Sequence, residues 1–133
     1  MLTITSKSPY ALRALAELAR AGGGAPVPIG ELARRRDIPV QFLEGLFATL
    51  RRAGILQSQR GVKGGYSFAR PPEEVTVLEI VELLEGELGA ETARADPIWG
   101  EAATAVRGVL GAVTVADVAQ REAREAGASM YYI

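Results

Sequence analysis

The chain has 133 residues and a formal net charge of −1, a length that suits one compact core or a small domain with an oligomerisation arm. It contains no cysteine and no histidine, which excludes a thiolate nucleophile, a disulfide, the usual zinc sites and an imidazole acid or base. Because no apolar run approaches the roughly 20 residues that cross a bilayer, and because the first residues lack the pattern of a secretion signal, we expect a cytoplasmic protein without a membrane partner.

The near-neutral net charge hides two halves of opposite sign. Residues 1–70 carry 11 basic and 4 acidic side chains, a balance of +7, whereas residues 71–133 carry 4 basic and 12 acidic ones, a balance of −8. A basic half is typical of a surface that binds a polyanion such as nucleic acid. The alternative is a protein whose charges segregate without a function.

Three helices are predicted in the first 52 residues. Residues 8–21 place leucines at helical spacing opposite charged side chains, and residues 29–36 form a second, shorter helix. Pro39 suits the first turn of a third helix, because its missing N–H would be unpaired there in any case. The apolar stripe of this third helix ends at Leu50 and leaves five residues outward: Gln41, Glu44, Ala48, Arg51 and Arg52. The third helix is therefore the candidate recognition helix of a helix-turn-helix.

Residues 56–70 predict a two-stranded hairpin directly after the third helix. Gly54 suits the end of that helix because glycine tolerates a positive φ, and the three glycines within residues 61–65 fit a tight turn. Arg60 and Lys63 give the hairpin a cationic tip suited to a phosphate backbone, although a flexible surface loop is the alternative interpretation. Helix, turn, helix and hairpin follow in the order of a winged helix-turn-helix, which we assign to residues 1–72.

Residues 73–133 predict a second, helical part with a linker helix, a loop and dimerisation helices. Thr76 and Glu79 form a capping box at the start of a helix that ends near Leu84. Residues 85–95 have no strong period and are predicted to form a loop. Thr114 is the candidate cap of a last short helix that ends at Ala126.

The longest predicted helix of this second part begins at Pro97, with Asp96 as its cap. Its apolar positions recur every three or four residues and form the predicted dimerisation stripe: Ile98, Ala102, Val106, Val109, Leu110 and Val113. The stripe either folds back on its own domain or pairs with a second copy of the chain. The small size of the DNA-binding core favours the homodimer.

Several of these segments together match a known pattern. They are Tyr10 to Leu15, Ile38 to Leu50, Leu50 to Leu56, Arg60-Gly61, Gly64 to Tyr66, Ala69 to Pro71 and Val75 to Val77. The combination resembles the Rrf2 family of winged-helix transcription regulators, which includes IscR and NsrR. The resemblance implies a mostly α fold with a small β-hairpin, and a winged helix-turn-helix domain followed by a long C-terminal dimerisation helix. It also implies a homodimer that binds double-stranded DNA at a partly palindromic operator.

The resemblance assigns DNA contacts to the start of the third helix and to the wing, which here means Gln41, Phe42, Glu44 and Arg60. By their chemistry Gln41 suits an adenine edge, Glu44 suits cytosine N4, and Arg60 suits a minor groove or a phosphate. The aromatic ring of Phe42 equally suits the apolar core. Backbone contacts are predicted for Ser6, Lys7 and Tyr10, and the cations Arg51 and Lys63 complete the predicted interface. Gly45 departs from the longer polar residue often found at its position in the family, so the base contact from that position is lost.

The region that would carry an iron-sulfur cluster is different in this chain. Cluster-binding members of the family have three cysteines there, at positions that correspond to residues 88–106, and this chain has none. We therefore expect no iron-sulfur cluster, no metal and no other cofactor. Arg94 and Trp99 are candidates for a small effector pocket, in which Arg94 would face an anion, whereas the alternative for Trp99 is packing between the wing domain and the dimer helix. Regulation by a protein partner, or no effector at all, are further alternatives.

These features predict a homodimeric, sequence-specific DNA-binding transcriptional regulator, a repressor at a palindromic operator. The alternative is a winged helix reused as a protein-interaction module, whose basic face meets an acidic protein. An enzyme is not expected, because the sequence offers no nucleophile with a neighbouring base. The glycines at residues 61–65 join two strands rather than a strand and a helix, so they do not form a phosphate-binding loop.

Overall fold

The helix-turn-helix consists of α1 (Lys7–Ala21), α2 (Ile29–Arg36) and α3 (Val40–Arg52). A computed structural model describes residues 4–22, 24–89 and 96–131, and the side chains of these residues up to 127. The three predicted helices are confirmed. Between α2 and α3 the backbone of Asp37 takes the left-handed conformation, with φ of 54°, which an aspartate tolerates better than most residues.

The wing is an antiparallel hairpin of β1 (Leu56–Gln59) and β2 (Gly65–Phe68), in which Leu56 lies opposite Phe68. A third segment joins it, since Val27 and Tyr66 exchange two backbone hydrogen bonds of 2.9 Å. Gly65 lies at this junction with φ of 145°, and a Cβ there would come within 2.3 Å of the Val27 carbonyl carbon. The pairing to Val27 adds a third extended segment to the base of the wing.

One hydrophobic core holds the helix-turn-helix and the wing together. Leu15, Leu43 and Phe47 are completely buried, and the Phe47 ring meets Tyr66 edge to face at 5.2 Å between centroids. Val75 and Val115, which lie beyond the predicted boundary at residue 72, are buried in this same core. The wing domain and the helices that follow it are therefore packed as one unit.

The C-terminal part contains α4 (Val77–Glu85), α5 (Pro97–Gly111) and α6 (Val115–Tyr131). Thr76 caps α4 as predicted, since its hydroxyl accepts from the Glu79 amide at 3.1 Å. The carboxylate of Glu79 does not complete a capping box; it accepts from Arg70 at 2.5 Å instead. Helix α6 is longer than predicted.

The start of α6 carries the complete capping box that the start of α4 lacks. The Asp117 amide donates to the Thr114 hydroxyl at 3.1 Å, and the Thr114 amide donates to the Asp117 carboxylate at 2.9 Å. At α5 the predicted cap is wrong in one respect, because Asp96 occupies the N-cap position without a side-chain hydrogen bond to the helix. No helix in the described ranges is long and apolar enough to cross a bilayer.

Five of the six residues predicted as one dimerisation stripe lie on α5, where they occupy two faces, and Val113 follows the end of the helix. Val106, Leu110 and Val113 are half-buried against a cluster of Val77, Val81 and Leu88. Ile98 and Val109 are exposed, by 58% and 66%, and Ala102 is half-buried. The physical reason is that α4 covers one side of α5, so that three of the six side chains already have a partner within the chain.

Candidate nucleic-acid interface

The start of α1 brings together three of the predicted backbone-contacting residues. Ser6 and Lys7 are exposed, and Tyr10 is half-buried. The Tyr10 ring meets Phe42 edge to face at 5.6 Å, and the Arg13 guanidinium lies 4.6 Å from the centre of the Tyr10 ring. Phe42 is half-buried and packs against the core, as its packing interpretation predicted. The contact between Tyr10 and Phe42 fixes the start of α1 beside the start of α3.

The N-terminus of α1 is held by a carboxylate that the sequence analysis did not single out. Glu85, the last residue of α4, accepts from the Thr5 amide at 2.9 Å and the Thr5 hydroxyl at 2.7 Å, and from the Ser8 hydroxyl at 2.9 Å. The Ser8 amide adds a longer contact of 3.4 Å. Burial raises the pKa of Glu85, but the hydrogen bonds from Thr5 and Ser8 outweigh it and hold the pKa below its usual value.

The outer face of α3 carries the polar residues expected of a recognition helix. Gln41, Glu44, Arg51 and Arg52 are exposed, and Arg52 donates to the Thr49 hydroxyl at 3.3 Å. The inner face of the helix is buried in the core through Leu43, Leu46, Phe47 and Leu50. This division leaves one polar stripe free to enter a groove of DNA.

The wing tip presents Arg60 and Lys63 to solvent. Gly64 closes the turn with a 3.0 Å hydrogen bond from its amide to the Gly61 carbonyl, and a Cβ at Gly64 would come within 2.2 Å of the Gln59 carbonyl oxygen. The tight turn therefore requires glycine at this position. Arg60, Val62 and Lys63 are all exposed at the tip.

The basic side chains of the molecule divide into two groups. Four arginines form ion pairs with acidic residues: Arg35 with Glu17 and Glu31, Arg36 with Glu17 and Glu122, Arg70 with Glu79, and Arg107 with Glu82. The four cations predicted to touch DNA, Lys7, Arg51, Arg60 and Lys63, have no ion-pair partner in the described part of the chain. The same holds for six other arginines of the described ranges: Arg13, Arg20, Arg34, Arg52, Arg121 and Arg124. An exposed cation without an internal partner is available to a phosphate.

The candidate effector region lies between α5 and the segment after α4. An open cleft there is lined by Leu88, Gly100, Ala103 and Arg107, among others. Trp99 is 51% exposed. Arg94 lies outside the described residues.

Side chains suited to an iron-sulfur cluster are missing from this region. The whole sequence contains no cysteine and no histidine, and in the described ranges no three acidic side chains gather as a metal site. Thiolates are the usual ligands of such clusters. The residues present therefore do not fit a cluster of this kind.

The geometry of the winged helix agrees with comparison to known proteins. A family model described as Rrf2, iron-dependent transcriptional regulator, matches residues 4–121. The chain belongs to the Rrf2 family. It is therefore related to winged-helix transcriptional regulators that bind DNA, and its sequence contains no cysteine.

Relatives and solved structures of this family resemble the chain over most of its length. It is 35% identical to the protein rrf2 of Nitratidesulfovibrio vulgaris in an alignment of 130 positions that covers 88% of this chain and 87% of that protein. It is 31% identical to the regulator CymR of Bacillus subtilis in an alignment of 138 positions that covers 99% of this chain and 100% of that protein. The solved structure of CymR, the global cysteine regulator of B. subtilis, superimposes with a TM-score of 0.81 over 91% of this chain and 98% of that chain. The IscR of T. potens, 34% identical, superimposes with a TM-score of 0.79 over 94% of this chain and 90% of that chain.

Proposed function

We propose that the protein is a sequence-specific transcriptional repressor that binds a partly palindromic operator as a homodimer, in the cytoplasm and without an iron-sulfur cluster. The observation that carries this proposal is where exposed cations lie on the winged helix. Lys7 at the start of α1, Arg51 near the end of α3, and Arg60 and Lys63 at the wing tip are all exposed, and none of them has an ion-pair partner in the described part of the molecule.

The proposed interface makes two kinds of contact with DNA, one to phosphates and one to base edges. Lys7, Arg60 and Lys63 hold phosphates on either side of the groove and fix the position of the protein on the duplex. Gln41 and Glu44, which are exposed on α3, face the base edges. Residues 1–72 supply these contacts, and residues 73–133 bring two copies together so that two α3 helices meet the operator about one helical turn apart.

Selection of genomic fragments by the purified full-length protein, at near-physiological salt, tests the proposal. We expect a recovered palindrome whose half-sites lie about 10 base pairs apart. The genes beside it would identify what the protein regulates. Recovery of random fragments alone would contradict sequence-specific binding and favour a protein-interaction module.

The contact assigned to Arg60 is measured by the salt dependence of binding to that operator. Each copy of Arg60 that holds a phosphate contributes roughly 0.9 to the slope of log K against log salt, so Arg60→Ala lowers the slope by about that amount per copy. Arg35→Ala is the matched control, because Arg35 is already paired with Glu17 and Glu31. Equal slopes for the two variants would show that Arg60 does not hold a phosphate.

A further inference from the structure

Gly45 lies in the middle of α3, is exposed, and has open space where a side chain would stand. A Cβ built on it meets no atom within 4 Å, so packing within the chain does not require glycine there. Glycine destabilises the interior of a helix relative to alanine. Open space beside a helical glycine does not by itself indicate a binding site, since Gly127 in α6 has the same open space. The residues around Gly45 are therefore what the inference depends on.

Gly45 borders a cleft of about 320 Å³ between α3, the start of α1 and the end of α4. Its apolar lining comes from Phe42, Leu46, Leu83 and Leu84, and Leu83 remains 38% exposed. The hydroxyl of Thr49, one turn further along the helix, donates to the Gly45 carbonyl at 3.2 Å. The space beside Gly45 is therefore an apolar notch on the polar face of the proposed recognition helix.

The position of the notch indicates what fills it. Gln41, proposed above to read a base, lies one turn before Gly45 and lines the same cleft, as does the exposed Lys7. The cations of this surface are complementary to DNA. In the major groove, the base edges present hydrogen-bond donors and acceptors and a single apolar group, the C5-methyl of thymine.

We propose that the notch at Gly45 receives the methyl group of a thymine in each half-site. Four helical residues span about 6 Å along the helix axis, and base pairs are about 3.4 Å apart, so this thymine lies one or two steps from the base read by Gln41. The inference rests on the proposed DNA-binding function and adds one base preference to it. Glycine at this position replaces a polar base contact with a contact to a methyl group.

The test replaces each thymine of the selected operator in turn by deoxyuridine, which removes only the methyl group. Loss of one buried methyl corresponds to an affinity about fourfold weaker per half-site. We expect this loss at one thymine position for the wild-type protein. It disappears in Gly45→Gln, whose side chain fills the notch. Gly127→Gln is the matched control, because it also replaces an open glycine within a helix, and it keeps the discrimination.

The possible outcomes distinguish failure of the thymine contact from failure of the proposed DNA-binding function. An operator that is bound with no thymine sensitive to loss of its methyl overturns the role of the notch and leaves the DNA-binding function intact. A sensitive thymine whose effect is unchanged in Gly45→Gln overturns the assignment to Gly45. Failure to select any operator overturns the proposed function itself. Thermal unfolding of both glutamine variants shows that they are folded.

Discussion

Among single residues, Glu85 has the largest number of polar contacts at the proposed interface. Its carboxylate accepts from two amides and two hydroxyls of Thr5 and Ser8, and so satisfies donors at the start of α1 that have no partner within the helix. A negative charge at this end also complements the helix dipole. Since Lys7 and Tyr10 lie in the same turn, the position of two proposed DNA contacts depends on this carboxylate.

We expect Glu85→Gln to lower the free energy of unfolding at pH 7 by about 1 kcal/mol, the usual value of a helix cap. The amide keeps the shape of the side chain but loses the charge and one acceptor. The measurement is urea unfolding at pH 7 and at pH 4. Glu87→Gln is the control, because Glu87 is exposed and two positions away. Equal losses in the two variants would contradict the role of Glu85.

The pH dependence of stability follows from the lowered pKa of Glu85. The folded protein holds the pKa of this carboxyl below its usual value, so folding favours the ionised form. The contribution is therefore complete above the unfolded pKa and is lost as the pH falls through the folded pKa. The wild-type protein loses this stability on going from pH 7 to pH 4 and below, and Glu85→Gln has a flatter profile.

Glu85 also shows the difference between contacts that can be predicted from sequence and contacts that depend on the tertiary fold. The caps by Thr76 and Thr114 were predictable because the residues that they join lie three positions apart. Glu85 and Thr5 lie 80 positions apart, and only the packing of α4 on α1 brings them together. The polar residues before α1 indicated a helix start without indicating which residue would accept from it.

At the scale of elements, Arg36 joins three helices. It donates from α2 to Glu17 of α1 at 2.8 Å and to Glu122 of α6 at 2.6 and 3.0 Å. Its side chain is 15% exposed, and hydrogen bonding to Glu122 and Glu17 raises its pKa above the usual value. Burial raises the pKa of Glu17, but its bonds to Arg36 and Arg35 outweigh this and lower it. The charged form of both groups is therefore favoured by folding.

We expect Arg36→Gln to lower the free energy of unfolding by about 2 kcal/mol, because it leaves the half-buried carboxylate of Glu122 without its charged donor and that of Glu17 with only the longer contact to Arg35. Arg35→Gln is the matched control. Arg35 is 37% exposed and contacts Glu17 at 3.3 Å, and exposed pairs of this kind contribute less than about 1 kcal/mol. Urea unfolding of the two variants measures the difference. If Arg35→Gln lowered the free energy of unfolding as much as Arg36→Gln, burial of the ion-pair network would make no contribution to stability.

The elements themselves were largely predictable, because each helix of the first 52 residues has its own apolar stripe and a local stop signal. The pairing of Val27 with Tyr66 was not, since a single bridging residue leaves no period in the sequence. The apolar positions of α5 were found correctly, but spacing alone does not say which neighbour covers them. In the fold, α4 covers Val106, Leu110 and Val113, whereas Ile98 and Val109 are exposed.

Across the whole molecule, the opposite charges of the two halves are partly matched within one chain. Arg36 and Arg70 of the basic half pair with Glu122 and Glu79 of the acidic half. The split of +7 and −8 in the sequence therefore overstates the charge available to a partner. Composition predicted a basic surface, and only the fold shows which of the cations are already neutralised.

A second surface of the whole molecule is the outward face of α5. Its residues Ile98, Ala102, Ala105 and Val109, and Ala112 directly after the helix, follow one another at intervals of four, three, four and three. This spacing is typical of helices that pair along a seam. Ile98 and Val109 are more than half exposed, and burying them requires another molecule. We therefore propose that the homodimer forms through this face of α5.

Val109→Glu tests the dimer, because it places a charge in the middle of the proposed seam without touching the core. We expect the wild-type protein to sediment as a dimer at micromolar concentration and Val109→Glu as a monomer, with operator affinity reduced because one half-site is lost. Val62→Glu is the matched control for oligomeric state, since Val62 is the same residue type, fully exposed at the wing tip and remote from α5 in sequence. A dimer that persists in Val109→Glu would place the subunit contact elsewhere and leave the exposed stripe of α5 to a different partner.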